Sequence, residues 1–135
     1  MSAGYILDAF ALLAYLRDEP GAAFVQRLLE EAAHGQPLLY LSLINYGEIL
    51  YISERWGGPA AVREVIRLVD ALPIEVVSPD RTLTFHAAHL KAQHAFSFAD
   101  AFAAALVQAK GLPLVTGDPE FRGMDEIQVE WLPRE

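Results

Sequence analysis

Two periodicities alternate along the chain. Short apolar runs of strand length lie at residues 5–7, 38–41, 74–77, 114–116 and 129–132. Longer stretches separate them, at 10–17, 22–33, 43–56, 60–71, 81–95 and 99–110, and their apolar residues recur at helical spacing. All eight prolines fall at the joints between these segments, where a missing N–H and a fixed φ do least harm. Strands that alternate with helices in this way predict an α/β fold, with a mainly parallel sheet covered by helices on both faces. In such sheets ligands sit beyond the carboxyl ends of the strands, where strand order reverses.

Four carboxylates stand at the places this architecture would expose to such a crevice. Asp8 closes the first strand as a helix opens, and its simplest structural role is an N-cap worth about 1 kcal/mol. Glu48 lies on a helix row between Ile44 and Ile52, one turn away on each side, with Asn45 three residues before it. An acid in an apolar row asks for a partner, and Arg55 is the nearest candidate along the helix. Asp100 follows Ser97 at the spacing of a capping box, and Asp118 sits in a Gly117-Asp118-Pro119 turn after the strand ending at Thr116. Taken singly, each acid has a structural explanation. Taken together, they converge on one edge of the predicted sheet. At about 4 to 5 Å and an effective dielectric near 20, each close pair would repel by about 3 to 4 kcal/mol. A hard divalent cation removes that cost, and oxygen-only ligands favour Mg²⁺ or Mn²⁺. Such an ion activates water against a phosphodiester.

Composition narrows the class further. At 135 residues the chain suits one domain, 1–135, with a core that needs no staples. The absence of cysteine excludes disulfides and thiolate metal sites and fits a reducing cytoplasm. The longest apolar run, 101–107, is too short for a membrane span, and no signal-peptide pattern opens the chain. A net charge of -8 argues against a general basic surface for nucleic acid. Either a nucleic-acid substrate is held locally and weakly, or the acidic surface faces a basic protein partner. His86, His89 and His94 have neither an HExxH frame nor a thiolate companion, so they read as surface or packing residues, with His94 placed to reach substrate.

The motifs Ile6-Leu7-Asp8, Asn45-Tyr46-Gly47-Glu48, Ser97-Phe98-Ala99-Asp100-Ala101-Phe102 and Leu114-Val115-Thr116-Gly117-Asp118-Pro119-Glu120-Phe121 resemble the successive motifs of PIN-domain ribonucleases. Val129-Glu130-Trp131-Leu132 is similar to the closing strand of the VapC toxin branch. The resemblance implies a three-layer α/β/α sandwich and Mg²⁺- or Mn²⁺-dependent endonucleolytic cleavage of RNA. It also implies catalytic acids Asp8, Glu48, Asp100 and Asp118, of which Asp8, Asp100 and Asp118 bind metal and Glu48 orients the water. Thr116 would contact the metal shell or scissile phosphate, with Asn45 and Ser97 in support. The same resemblance implies a homodimer and a small antitoxin covering the acidic pocket with a basic residue. One position departs from the pattern: Ala9 stands where many relatives carry Ser or Thr, which removes a supporting hydroxyl. The alternative is a catalytically silent PIN-like module that acts through a protein partner, and the intact acid set argues against it. A phospho-acceptor receiver would need an acidic pair after the first strand. An aspartyl phosphatase would need an acid where Phe10 stands.

Overall fold

The structure, a computed structural model, describes residues 3–134. Its strands are β1 (Gly4–Leu7), β2 (Leu38–Ser42), β3 (Glu75–Val77), β4 (Leu114–Thr116) and β5 (Val129–Trp131). They form one sheet in the order β3-β2-β1-β4-β5, and every pairing is parallel. The helices are α1 (Ala9–Leu16), α2 (Ala22–Ala32), α3 (Leu43–Asp70), α4 (Arg81–Gln93) and α5 (Phe98–Lys110), and a single 3-10 turn spans Pro119–Phe121.

Why the central strands read as continuous apolar runs is visible in their packing. Tyr5 and Leu7 of β1 enter a core shared with α1, α2 and α3, whereas Ile6 between them enters a second core built largely from α4 and α5. Leu39 and Leu41 against Tyr40, and Val115 against Leu114, divide between the two cores in the same way. Both faces are dry, so both phases of the strand repeat must be apolar. The result is the expected three-layer α/β/α sandwich. In α5 every residue from Asp100 to Val107 is buried, and the alanines let this helix lie close against the sheet.

Residues 43–70 are not one straight rod. Gly58 has φ 70° and ψ −167°, outside helical space, and Pro59 follows it. Glycine tolerates that conformation and proline cannot continue the preceding hydrogen bonds, so the helix breaks between the two stretches read from the sequence. Tyr46 Oη in the first arm donates to Asp70 Oδ1 in the second at 2.8 Å, so the arms fold back on each other.

From β1 the chain builds outward through β2 to β3, then crosses to the other side of β1 for β4 and β5. Strand order therefore reverses between β1 and β4, and it is beyond the carboxyl ends of strands at such a reversal that sheets of this kind bind ligands. Register near the other end of β1 leaves little room. A Cβ added at Gly4 would stand 2.8 Å from the Leu38 carbonyl oxygen and 3.0 Å from Leu112 Cδ1. Gly4→Ala is expected to destabilise the fold by about 1 to 3 kcal/mol, read as a lower urea midpoint at unchanged slope.

Candidate active site

β1 ends where its carboxyl edge meets the start of α1, and Asp8 occupies that joint. It is only 2% exposed. One carboxylate oxygen accepts the Ala11 amide at 2.9 Å and so caps α1. The other accepts the Thr116 hydroxyl at 2.5 Å, across the gap between β1 and β4. Capping therefore engages only one of the two carboxylate oxygens. Thr116 Oγ1 in turn accepts the Asp118 amide at 3.0 Å, which sets the turn that carries the next acid. The hydroxyl proton of Thr116 is committed to Asp8, so this side chain acts on the site through Asp8 and the Asp118 backbone.

Asp100 arrives from α5. Ser97 caps that helix, its Oγ accepting the Asp100 amide at 3.1 Å, so the capping-box geometry is realised and holds Asp100 in the first turn. Asp100 is 7% exposed. Glu48 comes from the first arm of α3, half-buried, and Asn45 Nδ2 donates to its Oε1 at 3.4 Å and to the Ala99 carbonyl at 3.1 Å. Asn45 thus joins α3 to the start of α5. No ion pair between Glu48 and Arg55 forms among the described residues; Arg55 instead lies 5.0 Å from the Tyr51 ring centroid. Asp118, half-buried, caps the 3-10 turn by accepting the Glu120 amide at 2.9 Å.

Electrostatics binds the four acids into one set. Burial pushes Asp8 from the ordinary 3.8 up to about 7, against the Thr116 and Ala11 hydrogen bonds, and the charges of Asp100 and Asp118 add to the rise. Burial likewise raises Asp100 to about 6, with Asp118 and Glu48 pushing the same way. Glu48 is raised by burial, partly countered by Asn45, with a further push from Asp118. Carboxylates that shift one another share a neighbourhood.

Their chemistry fits a hard divalent cation. All the donors are carboxylate oxygens, and the fully buried Asn45 leaves its Oδ1 without a hydrogen-bond partner beside Glu48. The spacing is looser than the single meeting point expected from the sequence: among the described residues no three His, Asp or Glu side chains stand close enough to grip one ion. The histidines lie outside the set. His94 is committed to Glu126, Nε2 to Oε2 at 2.8 Å, and packs on Phe96, which supports the packing role; His89 is exposed. Ala9 is buried and brings no hydroxyl. Sequence reasoning missed the Ala99 carbonyl that anchors Asn45, since a backbone acceptor leaves no mark in residue type.

The family model for the PIN domain matches residues 5–127. No curated protein sequence matches the chain. Among solved structures, VapBC2 from Rickettsia felis bound to a promoter DNA fragment aligns with TM-score 0.73 at 17% identity, covering 96% of this chain and 98% of that one. VapBC from Salmonella typhimurium bound to DNA aligns with TM-score 0.73 at 19% identity, covering 95% and 97%. VapC20 from Mycobacterium tuberculosis, a sarcin-ricin loop cleaving toxin, aligns with TM-score 0.72 at 20% identity, covering 93% and 98%. At these identities the likeness is one of fold.

The raised acids carry a stability consequence of definite sign. Between about pH 4 and pH 7 the native Asp8 holds a proton that the unfolded chain has already released. Stability is then fully present below the unfolded value and is lost as pH rises through the native one, by at most about 1.4 kcal/mol per pH unit for each such group. Asp100 and Glu48 act in the same direction. Glu64 and Glu126, lowered by hydrogen bonds from Arg67 and His94, lose their contribution only as pH falls below the glutamate range, outside this window. Urea unfolding in chelator is expected to show a lower midpoint at pH 7.5 than at pH 5, to about that order per unit. Asp8→Asn, which keeps the cap oxygen, should flatten the slope; an unchanged slope would remove Asp8 as its source.

Proposed function

The chain belongs to the PIN-domain family, and from that premise we propose that it is a Mg²⁺- or Mn²⁺-dependent endoribonuclease that serves as the toxin of a toxin–antitoxin pair. What supports the reading is that Asp8, Asp100 and Glu48 are all raised by burial, and the charge of Asp118 adds to each rise, at the strand-order reversal of a parallel sheet. A purely structural set of caps would not need to place four like charges within reach of one another.

In this reading Asp8, Asp100 and Asp118 would hold the cation, drawing closer together around it than they stand here. When bound, it supplies charge to a phosphoryl oxygen and lowers the pKa of a bound water. Asp8 is held ready because Thr116 and Ala11 fix its two oxygens from opposite elements. Ser97 keeps Asp100 at the N-terminal turn of α5, and Thr116 orients the Asp118 turn through its backbone. Glu48, raised by burial and steadied by Asn45, is the proton acceptor for the attacking water, since a carboxylate of elevated pKa accepts a proton more readily. The water oxygen bonds to phosphorus as its proton passes to Glu48, the P–O bond to the leaving ribose oxygen breaks, and that oxygen takes a proton from solvent.

The partners follow from the same premise: an RNA substrate, a second copy of the chain in a cytoplasmic homodimer, and a small antitoxin that inserts a basic residue into the crevice. Several solved structures of this fold are VapBC toxin–antitoxin complexes. A net charge of -8 suits a basic antitoxin segment. No described helix is long and apolar enough to cross a membrane.

Partner-free protein incubated with structured RNAs and Mn²⁺ is expected to cleave them, and EDTA to stop it. Asp100→Asn is expected to lower the rate by about 100-fold or more, as loss of a metal-binding group does. Equal rates for the two proteins would discredit the nuclease reading.

A further inference from the structure

Beside the acidic crevice lies a cleft of about 330 Å³, within the size range of small-ligand sites. Three of its walls are each one or two residues, or one ladder step, from Asp8, Asp118 or the Thr116 that bonds to both. Phe10 follows Asp8 by two residues, Gly117 lies between Thr116 and Asp118, and Trp131 stands opposite Thr116 in the β4–β5 ladder. A Cβ at Gly117 would fall 2.5 Å from Phe10 Cε1, so glycine there lets the Phe10 ring lie against the backbone that joins Thr116 to Asp118.

Arginines over exposed rings recur on this surface, as at Arg55 over Tyr51 and Arg81 over Phe85; what sets this cleft apart is its place beside the turn that carries Asp118. Phe10 is 42% and Trp131 40% exposed, so two aromatic surfaces on one cleft stay in water. Arg122 lies 5.7 Å from the Trp131 ring centroid, and neither it nor Arg134, also on the wall, has a carboxylate partner among the described residues. Glu19, the only acid on the wall, faces Arg17 at 3.5 Å. In a chain of net charge -8, two guanidinium groups without carboxylate partners beside exposed rings select a ligand that is flat, apolar on its faces and negatively charged at its edge. Single-stranded nucleic acid has that chemistry, because bases stack on aromatic rings while the backbone meets arginine.

We propose that this cleft seats one unpaired nucleobase of the RNA next to the scissile phosphate, with Trp131 as stacking platform, Phe10 bounding the base and Arg122 on the adjoining phosphate. The inference rests on the nuclease reading and adds to it the place where the base beside the cut bond is held. A base held in a duplex cannot enter the cleft without leaving its stack.

The test uses Trp131 as its own reporter. The chain has two tryptophans, so Trp56→Phe leaves Trp131 alone, and Asp100→Asn prevents cutting. Titration with a short single-stranded oligoribonucleotide is expected to quench Trp131 fluorescence, and an abasic nucleotide walked along the strand to abolish quenching at one position. Trp131→Leu is expected to weaken binding about tenfold, with Trp131→Phe restoring most of it, and Arg122→Gln to reduce the salt dependence. In the cleavage-competent chain Trp131→Leu is expected to raise KM more than it lowers kcat. Circular dichroism verifies that each variant is folded. If RNA is cut with an unchanged KM in Trp131→Leu, the cleft assignment falls and the nuclease reading stands. If the oligonucleotide quenches Trp131 but the competent chain cuts nothing, the nuclease reading falls while the base-binding cleft stands. Quenching by a basic peptide and not by RNA would overturn the assignment in favour of a protein partner.

Discussion

Thr116 has one hydroxyl proton, and it goes to Asp8. That bond closes the joint between the two strands that flank the strand-order reversal, β1 and β4, at the end where the sheet no longer pairs them. A carboxyl group at 2% exposure without such a donor would carry most of its desolvation cost unopposed. Because the same oxygen of Thr116 accepts the Asp118 amide, one side chain sets the attitude of two acids. Much of the crevice's geometry follows from this two-step chain of hydrogen bonds.

The acids also serve the fold that endangers them. Asp8 caps α1, Ser97 caps α5 at Asp100, and Asp118 caps the 3-10 turn, so these site-forming residues also satisfy helix-end amides. Capping stabilises locally, whereas mutual repulsion destabilises across the crevice. Raised pKa values at Asp8 and Asp100 come first from burial, with the repulsion adding to it. A protein selected for stability alone would gain by replacing one of these acids with asparagine, which caps as well and carries no charge. Retention of all four is the expected compromise where a site must attract a cation.

The cleft beside the acids extends the same economy of position. Gly117 has no side chain, which admits Phe10 against the turn, and the ladder that pairs Trp131 with Thr116 brings an exposed indole to the same place. An edge strand commonly hides or charges its rim; here β5 presents a tryptophan beside two arginines that have no carboxylate partners among the described residues. Catalytic acids on a general basic surface would bind any polyanion. Acids on an acidic chain with an aromatic and basic cleft next to them would select by shape and stacking.

Periodicity was enough to place every strand and helix within a residue or two, because a parallel sheet dry on both faces leaves continuous apolar runs and its covering helices leave a separate spacing. Even the break in α3 was written locally, in Gly58 and Pro59. The four acids were legible too, as charges at element ends or, for Glu48, inside an apolar row. What residue types could not tell was direction. The partner of Glu48 proved to be Asn45 and not Arg55, the proton of Thr116 turned to Asp8, and the Ala99 carbonyl took up Asn45. Phe10 and Trp131 come from opposite ends of the chain and share a wall only because β5 adds beside β4. Local pattern determines where an element begins and which face is apolar, since those depend on neighbours in sequence. Which polar groups meet depends on contacts between residues as far apart as Asp8 and Thr116, and only the folded sheet decides them.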